Sequence, residues 1–221
     1  MRILRNLGKL LISVGVGILL FVGWTLWGTG LYTARQQDRL ASEFDDLPVM
    51  PIRPEDERGL GGPPKGFSPR PGDPVFRLRM PSIDLDHIVV EGVGDDELRL
   101  GPGHYPSCRE GFSRPLCTDR DAVWPGEQGR VIVSGHRTTF GAPFWGLDKL
   151  EIGDPVRMQT QWGDFTYRVS GREIVAPNAR DIANPDATEG FEIVFTTCNP
   201  KFSAAQRLLV FASMDAAARQ T

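Results

Sequence analysis

Hydrophobic and polar positions divide the chain into three zones. Leu10 to Tyr32 carries no charge and is rich in Leu, Val, Gly and Trp. Its roughly 23 residues, at ~1.5 Å rise each, make a helix of about 34 Å, enough for one bilayer crossing. From about Thr33 to Asp73 the composition turns to Asp, Glu, Arg, Pro and Gly, most clearly in Glu55-Asp56-Glu57 and Gly59-Leu60-Gly61-Gly62-Pro63-Pro64. Such a segment buries too little apolar surface to offset its ordering entropy. It is therefore expected to be a flexible, extended linker over 33–73 that holds the C-terminal zone away from the membrane.

Beyond Pro74 the pattern changes to short apolar runs broken by Gly, Pro and Asp. They are Val75 to Met80, His87 to Gly92, Arg130 to Ser134, Pro155 to Gln159, Phe165 to Val169, Glu173 to Ala176, Glu192 to Cys198 and Arg207 to Ser213. With no long 3.6-period stretch between them, the runs predict an all-β domain over 74–215, a closed β-barrel of about eight strands. Short helices are expected around Asp95 to Leu100 and Ala179 to Ala183, with a C-terminal tail at 216–221.

Charge changes the picture at the N-terminus. Arg2, Arg5 and Lys9 precede the apolar stretch, which predicts a cytoplasmic tail at 1–9, a transmembrane signal anchor at 10–32 and a domain on the far side. A cleaved signal peptide is the main competitor. Against it, the run exceeds the ~7 to 15 residues of an h-region and lacks a clear Ala-x-Ala site after it. The net charge of -3 offers no basic face, which excludes nucleic acid as a partner. Of three cysteines, Cys108 and Cys117 flank one polar loop, so they are favoured as a disulfide that leaves Cys198 as the free thiol. Two free thiols, or a metal site that adds His104, are the alternatives.

Cys198 ends the apolar run Phe191 to Thr197, and Asn199-Pro200 breaks the chain right after it. This puts the most nucleophilic side chain at a strand terminus, open to a substrate. An ordinary thiol is only a few per cent ionised at neutral pH, so it needs a base nearby. His136, just past Gly129 to Gly135, is the candidate. Arg207 opens the next run, where a permanent cation would hold a carbonyl or a developing oxyanion. Each alone has a bland reading: a small core thiol, a structural imidazole, a solvated arginine. Their common position at strand ends suggests thiol-based acyl transfer.

These stretches resemble a known family. Gly101-Pro102-Gly103-His104-Tyr105-Pro106, Gly135-His136-Arg137-Thr138-Thr139 with Gly141-Ala142-Pro143-Phe144, and Thr196-Thr197-Cys198-Asn199-Pro200 through Gln206-Arg207-Leu208 look like a class E sortase. The resemblance implies a sortase β-barrel, extracellular and anchored in the membrane, that acts as a cysteine transpeptidase without a cofactor. Cys198 would cleave a Leu-Pro-x-Thr-Gly or Leu-Ala-x-Thr-Gly signal between Thr and Gly through a thioacyl intermediate. His136 would serve as general acid and base, and Arg207 would position the signal. Thr197 would help shape the oxyanion site, His104 would line the groove or make a structural hydrogen bond, and Phe140 would contact the signal. The implied partners are secreted proteins with a C-terminal sorting signal, and an amine acceptor from a peptidoglycan precursor or a pilin lysine.

Three features depart from the family pattern. Val194-Phe195 replaces its Thr-Leu before Thr-Cys, Phe140 stands where Tyr is frequent, and the loop Ser107 to Trp124 is longer than its counterpart. Two other readings of the chain are a thiol peptidase that passes the acyl group to water and a non-catalytic tethered binding barrel.

Overall fold

The computed structural model describes residues 2–54, 61–108, 117–118, 121–179 and 190–214. A small outer ladder pairs β1 (Arg53–Pro54) with β2 (Gly61–Gly62). The main strands are β3 (Pro74–Met80), β4 (Leu85–Glu91), β5 (Gly103–His104), β6 (Gly129–Ser134), β7 (Pro155–Thr160), β8 (Gly163–Val175), β9 (Phe191–Asn199) and β10 (Gln206–Ser213). These eight close into a barrel in the order β10-β8-β7-β3-β4-β5-β6-β9.

The expected all-β barrel of about eight strands is present, with a different inventory. The runs Phe165 to Val169 and Glu173 to Ala176 are one continuous strand, β8, with an irregular register opposite Phe211/Ala212. The eighth strand is β5, which has no alternating pattern of its own and is held by Val90 on one side and Ser134 on the other. The helix expected near Asp95 is α3 (Asp95–Leu100). Of the other expected helix only Ala179 is described, and the tail at 216–221 lies outside the described residues.

Alternation along the strands builds the core. Phe76, Leu78 and Met80 of β3, Val131 and Val133 of β6, Ile193 and Phe195 of β9, and Leu208, Val210 and Ala212 of β10 point inward and are buried. Burying a large apolar side chain of this kind contributes ~1.5–3 kcal/mol.

The N-terminal half departs most from expectation. Helix α1 (Arg2–Gly23) leads through a π-helical turn, Trp24–Gly28, into α2 (Thr29–Asp45). Within this continuous rod α1 is long and apolar enough to cross a membrane, and none of its residues is buried. Residues 33–45, expected as part of a flexible linker, are helical and packed on the barrel. The cause is a sparse stripe that average composition hides: Leu40 and Phe44 bury against Ile88 and Val90 of β4.

Gln37 strengthens the same contact. Its Oε1 accepts the Ile88 N–H at 2.7 Å, while its Nε2 donates to the carbonyls of Ile88 at 3.0 Å and Leu100 at 2.9 Å. The amide thus satisfies β4 backbone groups above the point where β5 takes over. Farther along, Phe67 packs edge-on against Trp124 and Trp162 at 5.0 and 5.4 Å. The described parts of 33–73 are thus held against the barrel at several points.

Candidate active site

One end of the barrel carries the chemistry. β9 and β10 form an antiparallel hairpin in which Cys198 is the direct cross-strand partner of Arg207. Because Phe195 and Leu208 face inward, alternation puts Cys198 and Arg207 on the outer face. Below them on that face, Ile132, Val194 and Leu209 form an apolar floor with Tyr105, Val175, Ala179 and Phe211.

β6 runs parallel to β9, with Ser134 opposite Thr196. The pairing continues past the strand end: the Gly135 N–H donates to the Thr196 carbonyl at 3.2 Å, and the Thr197 hydroxyl donates to the Gly135 carbonyl at 2.7 Å. His136 therefore leaves β6 beside the end of β9. Sixty-two residues of sequence separate it from Cys198, and parallel pairing closes that gap.

The loop after His136 is tightly braced. Phe140, Gly141 and Ala142 all have left-handed backbones, with φ of 50°, 73° and 46°, an uncommon state for residues with a Cβ. Three bonds hold it. The Phe140 N–H donates to Thr29 Oγ1 of α2 at 3.1 Å, the Ala142 N–H to the Thr139 carbonyl at 2.9 Å, and the Phe144 N–H to the His136 carbonyl at 3.1 Å. The fold places the Phe140 ring 5.0 Å from the His136 imidazole. Arg99 of α3 lies over the Phe140 ring at 5.9 Å.

Burial pushes the His136 pKa below its ordinary value; Asp95 acts in the opposite sense and Arg99 reinforces the fall. Burial thus favours the neutral ring, the form that accepts a proton. Arg207 is half-buried and its Nη1 donates to the carbonyls of Ala204 and Gln206, both at 3.1 Å. These bonds hold the guanidinium over the β9–β10 loop.

Arg137, directly after His136, carries no signal of its own in the sequence. Its side chain is buried, donates from Nη1 to the Cys198 carbonyl at 3.4 Å and pairs through Nη2 with Asp148 Oδ1 at 3.1 Å. Lys201 approaches the same carboxylate at 3.4 Å. Burial raises the Asp148 pKa, but the two cations outweigh it and the carboxyl titrates below its usual range. A buried cation thus ties the histidine loop to the cysteine strand end. Tyr105 is the second residue that sequence reasoning misses. In the Gly-Pro-Gly-His-Tyr-Pro segment, strand alternation turns His104 inward and Tyr105 outward onto the apolar floor. Burial pushes its phenol pKa up, with Arg207 pulling it back.

His104 requires a correction, because it does not line the groove. It is 1% exposed inside the barrel, with Nδ1 2.8 Å from Glu91 Oε2 and Nε2 3.0 Å from the Val123 carbonyl oxygen. Both ring nitrogens are thus engaged inside the barrel, one by the Glu91 carboxyl group and one by a backbone carbonyl. Thr197 is likewise buried and spends its hydroxyl on Gly135. It orders the rim from behind. Cys108 and Cys117 are bonded to each other, Cα to Cα 5.0 Å, and Cys198 is free. A metal site of Cys108, Cys117 and His104 does not fit sulfurs joined together and ring nitrogens already engaged.

A closed mixed barrel with a free thiol and an arginine on neighbouring strand ends, and a histidine from the parallel strand beside them, defines the sortase class of proteins. Comparison with known proteins agrees: residues 78–215 match the Sortase domain family, and the chain belongs to that family. It is 29% identical over 219 residues to sortase SrtE1 of Streptomyces coelicolor, covering 95% of this chain and 56% of that protein. It is 32% identical over 134 residues to sortase D of Bacillus subtilis, covering 61% and 59%. The chain thus spans somewhat over half the length of these curated relatives. Among solved structures, sortase E1 of Streptomyces coelicolor with a tripeptide in its active site superposes with a TM-score of 0.56 at 26% identity, covering 67% of this chain and 91% of that one. The two class E relatives, SrtE1 and the sortase E1 structure, match the resemblance read from the motifs.

Proposed function

We propose that this chain is a membrane-anchored cysteine transpeptidase that cleaves a Leu-Pro-x-Thr-Gly or Leu-Ala-x-Thr-Gly sorting signal between Thr and Gly and passes the acyl group to an amine. The carrying observation is the cross-strand pairing of Cys198 with Arg207 on the outer face, beside the strand end that delivers His136. The reacting form pairs a Cys198 thiolate with a protonated His136. Sulfur attacks the threonine carbonyl carbon, and the carbonyl electrons move onto oxygen, where the Arg207 cation stabilises them. Collapse breaks the carbon–nitrogen bond, and the His136 proton goes to the leaving glycine amine.

The thioacyl enzyme then meets the second amine. Neutral His136 takes a proton from this nucleophile as it attacks, the thiolate leaves, and a new amide forms. The apolar floor around Tyr105, Leu209 and Val194 suits the apolar first residue of the signal. The proposed acceptor is a peptidoglycan precursor amine, with a pilin lysine second, and the proposed partners are secreted proteins bearing the signal. α1 serves as the anchor with Arg2, Arg5 and Lys9 on the cytoplasmic side, which leaves the 74–215 domain extracellular.

The test is product identity. The full chain is incubated with a fluorogenic signal peptide and a millimolar glycine-based amine, and products are separated by mass. A ligated adduct supports transfer. Free acid alone, with amine in excess, makes the protein a thiol peptidase instead, and an uncleaved peptide rejects both.

A further inference from the structure

The apolar helix and the active-site rim sit at the same end of the barrel. α1 ends at Gly23, and only Trp24–Gly28 separates it from Thr29, which accepts the Phe140 N–H. At ~1.5 Å per residue, the His136 loop is on the order of 10 Å from the end of α1. α2 then runs away from that end. Thr33 donates to the Arg99 carbonyl at 2.9 Å, Gln37 engages Ile88, and beyond the helix the Met50 N–H reaches the Gln161 carbonyl at the β7–β8 hairpin, 2.8 Å away. A bilayer that holds α1 therefore meets the rim and not the far end.

That rim exposes two large aromatic rings. Phe202, in the loop just past Cys198, is 70% exposed, and Trp145, in the loop after His136, is 41% exposed. Their centroids are 5.9 Å apart, and the Lys201 ammonium sits 4.3 Å from the Trp145 ring. Phe202 also has a left-handed backbone, φ 66°, a costly state for a bulky residue. In water two such rings would gain by turning inward. Aromatic rings beside a lysine instead suit the headgroup zone of a bilayer, which takes both the apolar body and the cation. Trp24, at the rim end of the apolar helix, is exposed in the same way.

We propose that Trp145, Phe202 and Lys201 seat the active-site rim on the headgroup layer of the bilayer that α1 crosses, so that acyl donor and amine acceptor are captured at the membrane interface. The proposal rests on reading α1 as a membrane anchor. It replaces the expectation of a domain held off the membrane by a long linker.

The experiment uses the full chain in nanodiscs of phosphatidylglycerol and phosphatidylcholine. A Cys198→Ala background leaves no other free thiol, and a nitroxide is attached in turn at Phe202→Cys, Trp145→Cys, Val16→Cys in α1, and Thr166→Cys on the exposed face near the β7–β8 hairpin. Collision with oxygen against a water-soluble nickel chelate reports depth. The expected result is a deep Val16 label, headgroup-depth labels at Phe202 and Trp145, and an aqueous Thr166 label. A deep Val16 label with Phe202 and Trp145 as aqueous as Thr166 overturns the seating and leaves the anchor standing; an aqueous Val16 label overturns both. An aqueous Phe202 label that becomes immobilised only when sorting peptide is added assigns the aromatic pair to the peptide, and also overturns the seating.

Discussion

Arg137 offers the most discriminating single substitution. Arg137→Met keeps the length and apolar stem of the side chain and removes its charge. The loss comprises the charge-assisted bond from Nη2 to Asp148 at 3.1 Å, about 1.5–3 kcal/mol, and a long contact to the Cys198 carbonyl at 3.4 Å, about 0.5 kcal/mol. The gain is relief of a buried Nε that has no partner among the described residues, about 1–3 kcal/mol. Asp148 is not stranded, since its side chain is 43% exposed and keeps Lys201 at 3.4 Å. The opposing contributions largely offset, so the net change should lie between a gain of about 1 and a loss of about 2.5 kcal/mol, centred on a loss of about 1 kcal/mol.

Activity should respond very differently. The guanidinium spans the histidine loop and the cysteine strand end, and a reacting pair displaced by about 1 Å loses on the order of 10²-fold in rate. Arg137→Met should therefore lower kcat/KM for a fluorogenic signal peptide by roughly 10- to 100-fold while the urea unfolding midpoint shifts only modestly. Iodoacetamide should still alkylate Cys198, because the thiol itself is untouched. Full activity in the variant refutes the positioning argument, and a stability loss above about 3 kcal/mol refutes the offset.

Three other perturbations test separate parts of the fold. Glu91→Leu should cost about 1–3 kcal/mol by taking the partner from the buried His104 Nδ1, and pairing it with His104→Phe should recover much of that in urea melts. Protonation of His136 opposes its burial, so its folded pKa lies below the unfolded value. Its stability contribution is intact above an unfolded pKa of ~6.5 and is lost as pH falls below it. His136→Gln should flatten that part of the stability-versus-pH curve in melts between about pH 5 and 7, and an unchanged slope would contradict the assignment. Reducing the Cys108–Cys117 bond should cost roughly 2–3 kcal/mol by loop-closure entropy, read from thermal melts with and without reductant.

Legibility from sequence depended on which residues carried the signal. Cys198, His136 and Arg207 sit where apolar runs stop, so strand ends read from the sequence already group them at loops, and the sortase motifs name them together. β5 is invisible in the pattern because Gly103-His104 has no periodicity of its own; its neighbours β4 and β6 impose it. For the same reason His104 turns into the barrel while Tyr105 takes the outer face, since which of two adjacent residues faces inward is fixed only by register. The docking of α2 is lost in an average: Thr33, Gln37, Leu40 and Phe44 are few among charged neighbours, yet their spacing puts them on one face. Arg137 looks like a loop cation because nothing local reveals a partner 61 positions away.

The central claim concerns Cys198 as the acyl carrier. The most direct measurement is intact and peptide-level mass spectrometry of the full chain incubated with a signal peptide and no added amine. The account predicts a mass increase equal to the signal through its threonine, located on Cys198 and absent from Cys198→Ala. An adduct on another residue, or peptide cleavage that persists in Cys198→Ala, would contradict it.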